Sequence, residues 1–155
     1  MFITKKSFLY LTLLAIVALS FGACKKDDDD KSNREQLVDK NWKLAALTAN
    51  PAINFGGTLH PDIYAQLQAC DKDDLTIFKT DGVINFDDSA IRCSSVAPQI
   101  VLGVWTLNAD ETVIAVDGVN WTIVDLTDSQ LKVTYAADPT GSGVNSTITA
   151  TYKKS

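Results

Sequence analysis

Most of this chain is divided into short segments of the kind that form β-strands, with turn-forming residues between them. β-Branched and aromatic residues alternate with polar ones, which is typical of strands buried on one face. Eight strands are predicted: Trp42–Thr48, Leu75–Lys79, Val83–Phe86, Leu102–Leu107, Thr112–Val116, Trp121–Leu126, Leu131–Ala136 and Ser146–Lys153. Short connections between such strands suit an all-β fold, either a sandwich or an antiparallel up-and-down barrel. The eight-stranded barrel is favoured because closure removes the sheet edges.

One long connection interrupts this pattern. It runs from Ala49 to Ala69, and Pro61 suits the first position of a short helix that ends at about Ala69. We expect this insert to cover one end of the barrel. A second helical turn is predicted at Gln36–Lys40, before the first strand.

The hairpin around Asp81-Gly82 predicts a disulfide bond. If these two residues form the whole turn, Ile77 faces Phe86, and Cys70 and Cys93 both fall at the open end of the hairpin. An exported chain would expose this pair to an oxidising space. We therefore expect a Cys70–Cys93 disulfide, with two buried free thiols as the alternative.

The same hairpin gathers five aspartates near the two cysteines: Asp71, Asp73, Asp74, Asp87 and Asp88. Concentrated carboxylates could bind Ca²⁺, or a pair of them could perform acid/base chemistry. The spacing of an EF-hand is absent, and aspartates beside strands are usually solvated turn formers. We expect no metal site and keep the cluster only as a calcium candidate.

A second hairpin, around Asp128, predicts which residues face the interior. Pairing Leu126 with Leu131 places Val124 opposite Val133 on the inner face. Trp121 then falls on the outer face of this hairpin.

The first 23 residues have the proportions of a signal peptide. Lys5 and Lys6 precede an apolar run from Phe8 to Ala23, which is short for a membrane-spanning helix. The string FGAC resembles a bacterial lipobox, in which the cysteine is lipid-modified and becomes the first residue of the mature protein. We expect Cys24 to carry acyl chains that anchor the protein, with secretion after ordinary cleavage as the alternative.

An acidic run, KKDDDDK, follows Cys24 directly. It resembles the signal that exports lipoproteins of the Bacteroidota to the outer face of the outer membrane. A solvated spacer and an engineered protease tag are the alternatives. We expect a cell-surface location, with the periplasmic face as the alternative, and three parts: signal peptide 1–23, disordered tether 24–34 and β domain 35–155.

The order of several strings carries a family resemblance. Trp42-Lys43-Leu44, IYAQLQAC, CDKDDLTIF, TDG, RCSS, GVWTLNAD and LTDSQLKV follow one another over about residues 35–155. Together with CKKDDDD they resemble the lipocalin-like domain of Bacteroidota lipoproteins. The resemblance implies a small eight-stranded barrel with an N-terminal anchor, and little about the ligand. The chain departs from true lipocalins at the G-x-W motif, where Lys40-Asn41 precedes Trp42, and in having no arginine in the last strand.

No motif in the sequence indicates catalysis. His60 is the only histidine, and neither a G-x-S-x-G motif nor a metal-spaced Cys/His cluster occurs. We therefore expect no enzyme activity and no cofactor. Without residues 1–23 the chain has 12 basic and 19 acidic residues, a net charge of −7, which argues against a nucleic-acid partner.

Two classes of function fit this sequence. In the first, a monomeric, anchored barrel binds a small apolar or glycan-derived ligand, with Phe55, Tyr64 and Trp121 at the lip of the cavity. In the second, the barrel is filled with side chains, and exposed loops bind a surface protein or inhibit an enzyme. The filling of the barrel interior distinguishes the two.

Overall fold

Nine antiparallel strands and three short helical segments make up the described part of the chain. The computed structural model describes residues 31–141 and 143–155, so the predicted signal peptide, Cys24 and tether residues 24–30 lie outside it. The strands are β1 Trp42–Phe55, β2 Thr58–Asp62, β3 Leu75–Phe78, β4 Val83–Asp87, β5 Ile100–Leu107, β6 Val113–Val116, β7 Val119–Leu126, β8 Gln130–Ala137 and β9 Ser146–Lys154. The helical segments are α1 Asn33–Leu37, a 3-10 turn Tyr64–Gln66 and α2 Ala69–Lys72.

Eight of these strands close into an up-and-down barrel, as predicted. From β3 to β9 each strand pairs with the next one along the chain, and β1 completes the ring by pairing with both β3 and β9. Trp42 shows the closure directly, because it lies opposite Thr76 on one side and Lys154 on the other. The ninth strand, β2, pairs with the second half of β1 outside the ring.

The first long connection differs from its prediction. β1 continues to Phe55, and the chain reverses at Gly56 and Gly57, whose φ angles of +60° and +90° favour glycine. Strand β2 then occupies the start of the predicted helix from Pro61 to Ala69, so that helix is wrong in position and length. Pairing with β1 satisfies backbone groups of β2 that face β1, and an edge strand tolerates a proline that cannot donate a hydrogen bond.

The β3–β4 hairpin has a longer turn than predicted. Residues 80–82 form a three-residue turn closed by a backbone hydrogen bond of 2.8 Å, and the last of the three is a glycine with φ of +88°. The predicted pair of Ile77 with Phe86 is therefore wrong by one residue, and Phe86 faces Thr76.

The β7–β8 hairpin begins in the predicted register and then changes it. Leu126 faces Leu131 as predicted, but the register shifts between Ile123 and Asp125. Val133 therefore faces Ile123 and not Val124, which is the extra residue of a β-bulge.

This bulge reverses the predicted orientation of Trp121. Successive side chains of a strand point to opposite faces, so one extra residue exchanges the inner and outer sets beyond it. Trp121 is consequently buried in the barrel, and its predicted outer position is wrong. Val124 is exposed instead.

One end of the barrel is filled with large apolar side chains, and we call it the closed end. Leu37, Trp42, Phe78, Ile84 and Trp105 are at most 2% exposed. The indole N–H of Trp42 donates to the carbonyl oxygen of Leu37 at 2.9 Å. The rings of Phe78 and Trp105 pack edge to face, with centroids 5.3 Å apart.

Helix α1 covers the closed end. The Ser32 hydroxyl accepts from the N–H of Glu35 at 3.2 Å, and the Glu35 carboxylate accepts from the N–H of Ser32 at 3.0 Å, which is a capping box. The predicted helical turn at Gln36–Lys40 is thus displaced toward the N-terminus. Residues 31–34, which are part of the predicted tether, belong to the same compact unit as the barrel.

The residues around α1 contact all three hairpin turns of the closed end. Arg34 donates to the carbonyl of Thr80 at 2.9 Å, and its guanidinium lies 5.1 Å from the ring centroid of Trp105. Asn33 donates to the carbonyl of Glu111 at 2.8 Å. The carboxylate of Asp128 accepts from two lysines, which lowers its pKa to about 2. These polar contacts order a segment that buries little apolar surface apart from Leu37.

Candidate ligand-binding site

The other end of the barrel is open, and apolar side chains of its wall reach solvent there. Val101 on β5 and Val119 on β7 alternate in phase with the buried tryptophan of their own strand, so both point inward. They are nevertheless 51% and 43% exposed. Phe86 and Tyr135, which also face the interior, are only partly buried. We call these four residues the mouth.

A stack of three aromatic rings lies beneath the mouth. Trp121 packs almost parallel to Tyr135, with ring centroids 5.4 Å apart and 19° between the planes. Tyr152 also packs on Trp121, with ring centroids 6.2 Å apart and 14° between the planes. Burial raises the pKa of the Tyr152 phenol, and the neighbouring Tyr135 raises it further. Burial likewise raises the pKa of Tyr135, so both phenols are neutral hydrogen-bond donors at physiological pH.

The polar atoms of this stack have no protein partner within residues 31–141 and 143–155. Neither the indole N–H of Trp121 nor the hydroxyls of Tyr135 and Tyr152 hydrogen-bond to any described residue. At the closed end, by contrast, Trp42 and Trp105 both donate to backbone carbonyls, at 2.9 Å each. The stack therefore offers three donors to water or to a bound molecule.

A cavity of about 210 Å³ opens at the same end of the barrel. It lies between the second half of β1 and the loop that joins β8 to β9, and it reaches Ile53 and Ser146, which are both buried. Ligand pockets usually measure about 300–1,000 Å³. This cavity alone would therefore hold a small molecule or one part of a larger one.

Among the described residues, no ring contact joins the three residues predicted at the lip. Phe55 is exposed at the end of β1, with its ring centroid 5.9 Å from that of His60. Tyr64 is in the 3-10 turn, where the Lys72 ammonium lies 5.0 Å from its ring centroid. Neither ring stacks on Trp121 among the ring contacts of the described residues. Of the three, Trp121 is the one that packs in the aromatic stack.

The five aspartates predicted to cluster do come together, beside the Cys70–Cys93 disulfide that the structure contains. Asp74 shows their proximity. Its pKa is raised to about 6, chiefly by burial and then by the carboxylates of Asp88, Asp71, Asp73 and Asp87.

This acidic cluster holds a loop in place rather than presenting a ready cation site. Asp73 Oδ2 accepts from the N–H groups of Ala90 and Ile91 at 3.1 and 2.9 Å. Among the described residues, the one trio whose ligand atoms lie within 4.8 Å of one another is Cys70, Asp71 and Cys93, and its two sulfurs are joined in the disulfide. Ca²⁺ needs six to eight oxygens, so the calcium candidate gains no support from this geometry.

Sequence reasoning did not identify the other wall residues of the open end. The alternation along each strand predicts the inward direction of four of them, Val101, Val119, Tyr135 and Tyr152. Only the closed barrel shows which inward-facing side chains are buried by their neighbours and which reach solvent. Tyr135 alternates in phase with Leu131 and Val133 of β8, and Tyr152 with Ile148 and Ala150 of β9. This spacing was a signal that both tyrosines face the interior.

No helix among the described residues is long and apolar enough to cross a membrane. Comparisons with protein-family models, with curated proteins and with solved structures find no match to this chain.

Proposed function

We propose that this chain is a lipid-anchored, cell-surface binding protein of the lipocalin-like type, without enzyme activity, that takes a small ligand into the mouth of its barrel. The observation that carries the proposal is the contrast between the two ends. Inward-facing side chains are buried at the closed end, whereas at the mouth they stay partly exposed above an aromatic stack whose three donors have no partner among the described residues.

The chemistry of the mouth defines the ligand class. Val101, Val119 and Phe86 favour an apolar body, and the flat faces of the stack favour a ring. The three donors favour acceptor oxygens on the ligand. Residues 31–155 contain 10 basic and 15 acidic residues, a net charge of −5, which disfavours an anion. A neutral, partly apolar molecule, including a glycan-derived one, fits best.

A neutral fluorescent probe tests this proposal. N-phenyl-1-naphthylamine should bind residues 31–155 saturably, with increased emission, because it combines apolar rings with no charge. Native mass spectrometry of the protein purified from its own host should show a bound small molecule. Saturable binding that disappears when the domain is unfolded would support the site.

Two matched variants locate the probe. Trp121→Phe should weaken probe binding about fivefold or more, because it removes part of the aromatic surface on which the probe stacks. Trp105→Phe makes the same chemical change at the closed end and should leave the affinity unchanged. Circular dichroism confirms that both variants are folded. Equal affinities for the two variants, or no saturable binding by the folded wild type, would contradict the proposal.

The second class of function, protein interaction through loops, is favoured by a separate observation. The loop between β4 and β5 exposes two large apolar side chains, Ile91 at 51% and Val96 at 92%. If the mouth binds no ligand, this alternative predicts that the anchored domain recovers a reproducible protein partner in a pull-down. The variant Val96→Lys should then reduce recovery of that partner.

A further inference from the structure

The first half of β5 is an open sheet edge, although the strand belongs to the closed ring. β4 pairs along Ile100–Val104, but β6 begins to pair only from Trp105 onward. The Trp105 N–H donates a hydrogen bond to the carbonyl oxygen of Gly82, which precedes β4. The backbone N–H and C=O groups of the odd-numbered residues of β5 therefore point toward β4. The N–H and C=O groups of Ile100 and Leu102 therefore point away from β4, where no described strand meets them.

This edge is also apolar and exposed. Ile100, Leu102 and Val104 are 45%, 68% and 63% exposed on the outer face of the barrel. Most proteins protect such an edge with a charged residue, a proline or a bulge. The other edge strand, β2, follows this rule with Pro61, but Ile100–Val104 contains neither a proline nor a charge.

One residue of the chain, Asp117, already hydrogen-bonds to the end of this edge at Val104. At Val104 the Asp117 backbone N–H donates to the carbonyl at 3.0 Å, and the Asp117 carboxylate accepts from the N–H at 2.8 Å. The side chain thus replaces the main-chain acceptor that a neighbouring strand would supply. Gly103 makes room for it, because a Cβ there would lie 2.5 Å from Asp117 Oδ2. The next two residues in the same phase, Ile100 and Leu102, have no such replacement.

The charges beside the edge indicate the kind of partner. Asp117 is exposed and forms no ion pair with any described lysine or arginine. A pocket of about 100 Å³ next to it, lined by Val104, Ala115 and Gly118 among others, would accommodate an aliphatic stem. A strand that carries lysine at this point complements both features. A second copy of this domain, with its own net charge of −5, does not.

We propose that the β5 edge binds an extended segment of another protein by strand addition, with apolar residues opposite Ile100 and Leu102 and a basic residue at Asp117. This interaction surface lies on the outer wall and goes beyond the proposed ligand site. In the antiparallel arrangement the basic residue precedes the apolar ones, because β5 runs from Ile100 toward Val104.

A synthetic peptide tests the proposal with residues 31–155, which contain the whole barrel, its core and its disulfide. The probe is acetyl-Lys-Thr-Val-Thr-Val-amide, followed by two-dimensional NMR of the ¹⁵N-labelled domain. Saturable shifts should centre on the amides of Ile100 and Leu102. The same peptide with both valine nitrogens methylated should bind about tenfold more weakly, because it loses two main-chain donors.

Matched variants separate this edge from non-specific apolar binding. Leu102→Lys should abolish the shifts, whereas Leu59→Lys, at a side chain 65% exposed on β2, should leave them unchanged. Asp117→Asn keeps an acceptor for the Val104 N–H but removes the charge. It should weaken binding of the lysine peptide about two- to fivefold and leave a peptide with threonine in place of lysine unaffected.

Three results would overturn the proposal. The first is equal binding of the methylated and unmethylated peptides. The second is a set of shifts centred on the mouth instead of the edge. The third is a domain that fails to bind the peptide and sediments as a dimer, with Leu102→Lys restoring the monomer, since the occupant would then be a second copy.

Discussion

The two ends of this barrel are built from the same alternating strands but are completed in different ways. At the closed end, helix α1 and three large aromatic rings, Trp42, Phe78 and Trp105, fill the space between the hairpin turns. At the mouth, inward-facing Val101 and Val119 remain about half exposed, and a disulfide and hydrogen bonds to aspartates hold the nearby loop. The comparison indicates that apolar burial is concentrated at the closed end, whereas a covalent bond and polar contacts hold the mouth side.

The largest effect should come from emptying the closed end. Trp42→Ala removes a fully buried ring and its hydrogen bond to Leu37, and should lower the free energy of unfolding by about 3–5 kcal/mol. Val101→Ala at the mouth should change it by no more than about 0.5 kcal/mol. Urea denaturation of both variants gives these values. Similar losses at the two positions would show that the ends do not differ.

The disulfide should be the next largest contribution, and it lies on the mouth side. Replacing both Cys70 and Cys93 by serine releases a cross-link between residues 23 apart and should cost roughly 3 kcal/mol. Amide exchange should accelerate first in residues 88–99, while α1 stays protected. If amide exchange increases equally at α1, the disulfide stabilises the whole barrel and not only its open end.

A smaller effect is expected at Gly103, on the wall between the two ends. In Gly103→Ala the new Cβ would lie 2.5 Å from Asp117 Oδ2 and 2.9 Å from Ile84 Cγ2, which should cost about 1–3 kcal/mol. In a chain that already carries Asp117→Ala, the same substitution should cost less, because only the contact with Ile84 remains. An equal cost of Gly103→Ala in the two backgrounds would assign it wholly to Ile84.

The smallest effect should be a dependence of stability on pH that arises from Asp74. Its pKa is about 6 in the folded state and near 3.8 when exposed, so the folded state holds the proton more tightly. The stabilisation from this proton is complete below pH 4 and is lost as the pH rises to 6. Compared with Asp74→Asn, the wild type should therefore lose stability between pH 4 and 6. Denaturation midpoints at pH 4, 5 and 7 test this, and parallel profiles would exclude Asp74 as the cause.

Local sequence signals identified most of the strands and the fold class, since alternation and turn residues act over only a few positions. The pair Leu126–Leu131 was visible in this way. The Cys70–Cys93 disulfide was also predicted correctly, although the register used for it was off by one. Two cysteines near the open end of a hairpin tolerate such a shift, because the loops beyond the strands adjust.

The candidate site depended on events that no local pattern shows. A single bulge at Val124 carried Trp121 from the predicted outer face into the barrel. The predicted helix at Pro61 gave way to β2, since pairing with β1 outweighs a local preference for a helix start. The open edge at Ile100 and Leu102 arises because β6 is only four residues long, which leaves the first half of a longer β5 without a neighbour.

By itself, the sequence predicted an acidic domain of antiparallel strands and a Cys70–Cys93 disulfide, because these properties follow from periodicity, composition and short-range turns. Only the tertiary structure decided which inward positions are sealed and which remain open. That outcome depends on strand lengths and on one bulge, which exchanges the inner and outer side chains of β7 beyond it. The aromatic stack beneath the mouth follows from that bulge, and the unpaired edge of β5 follows from the short β6.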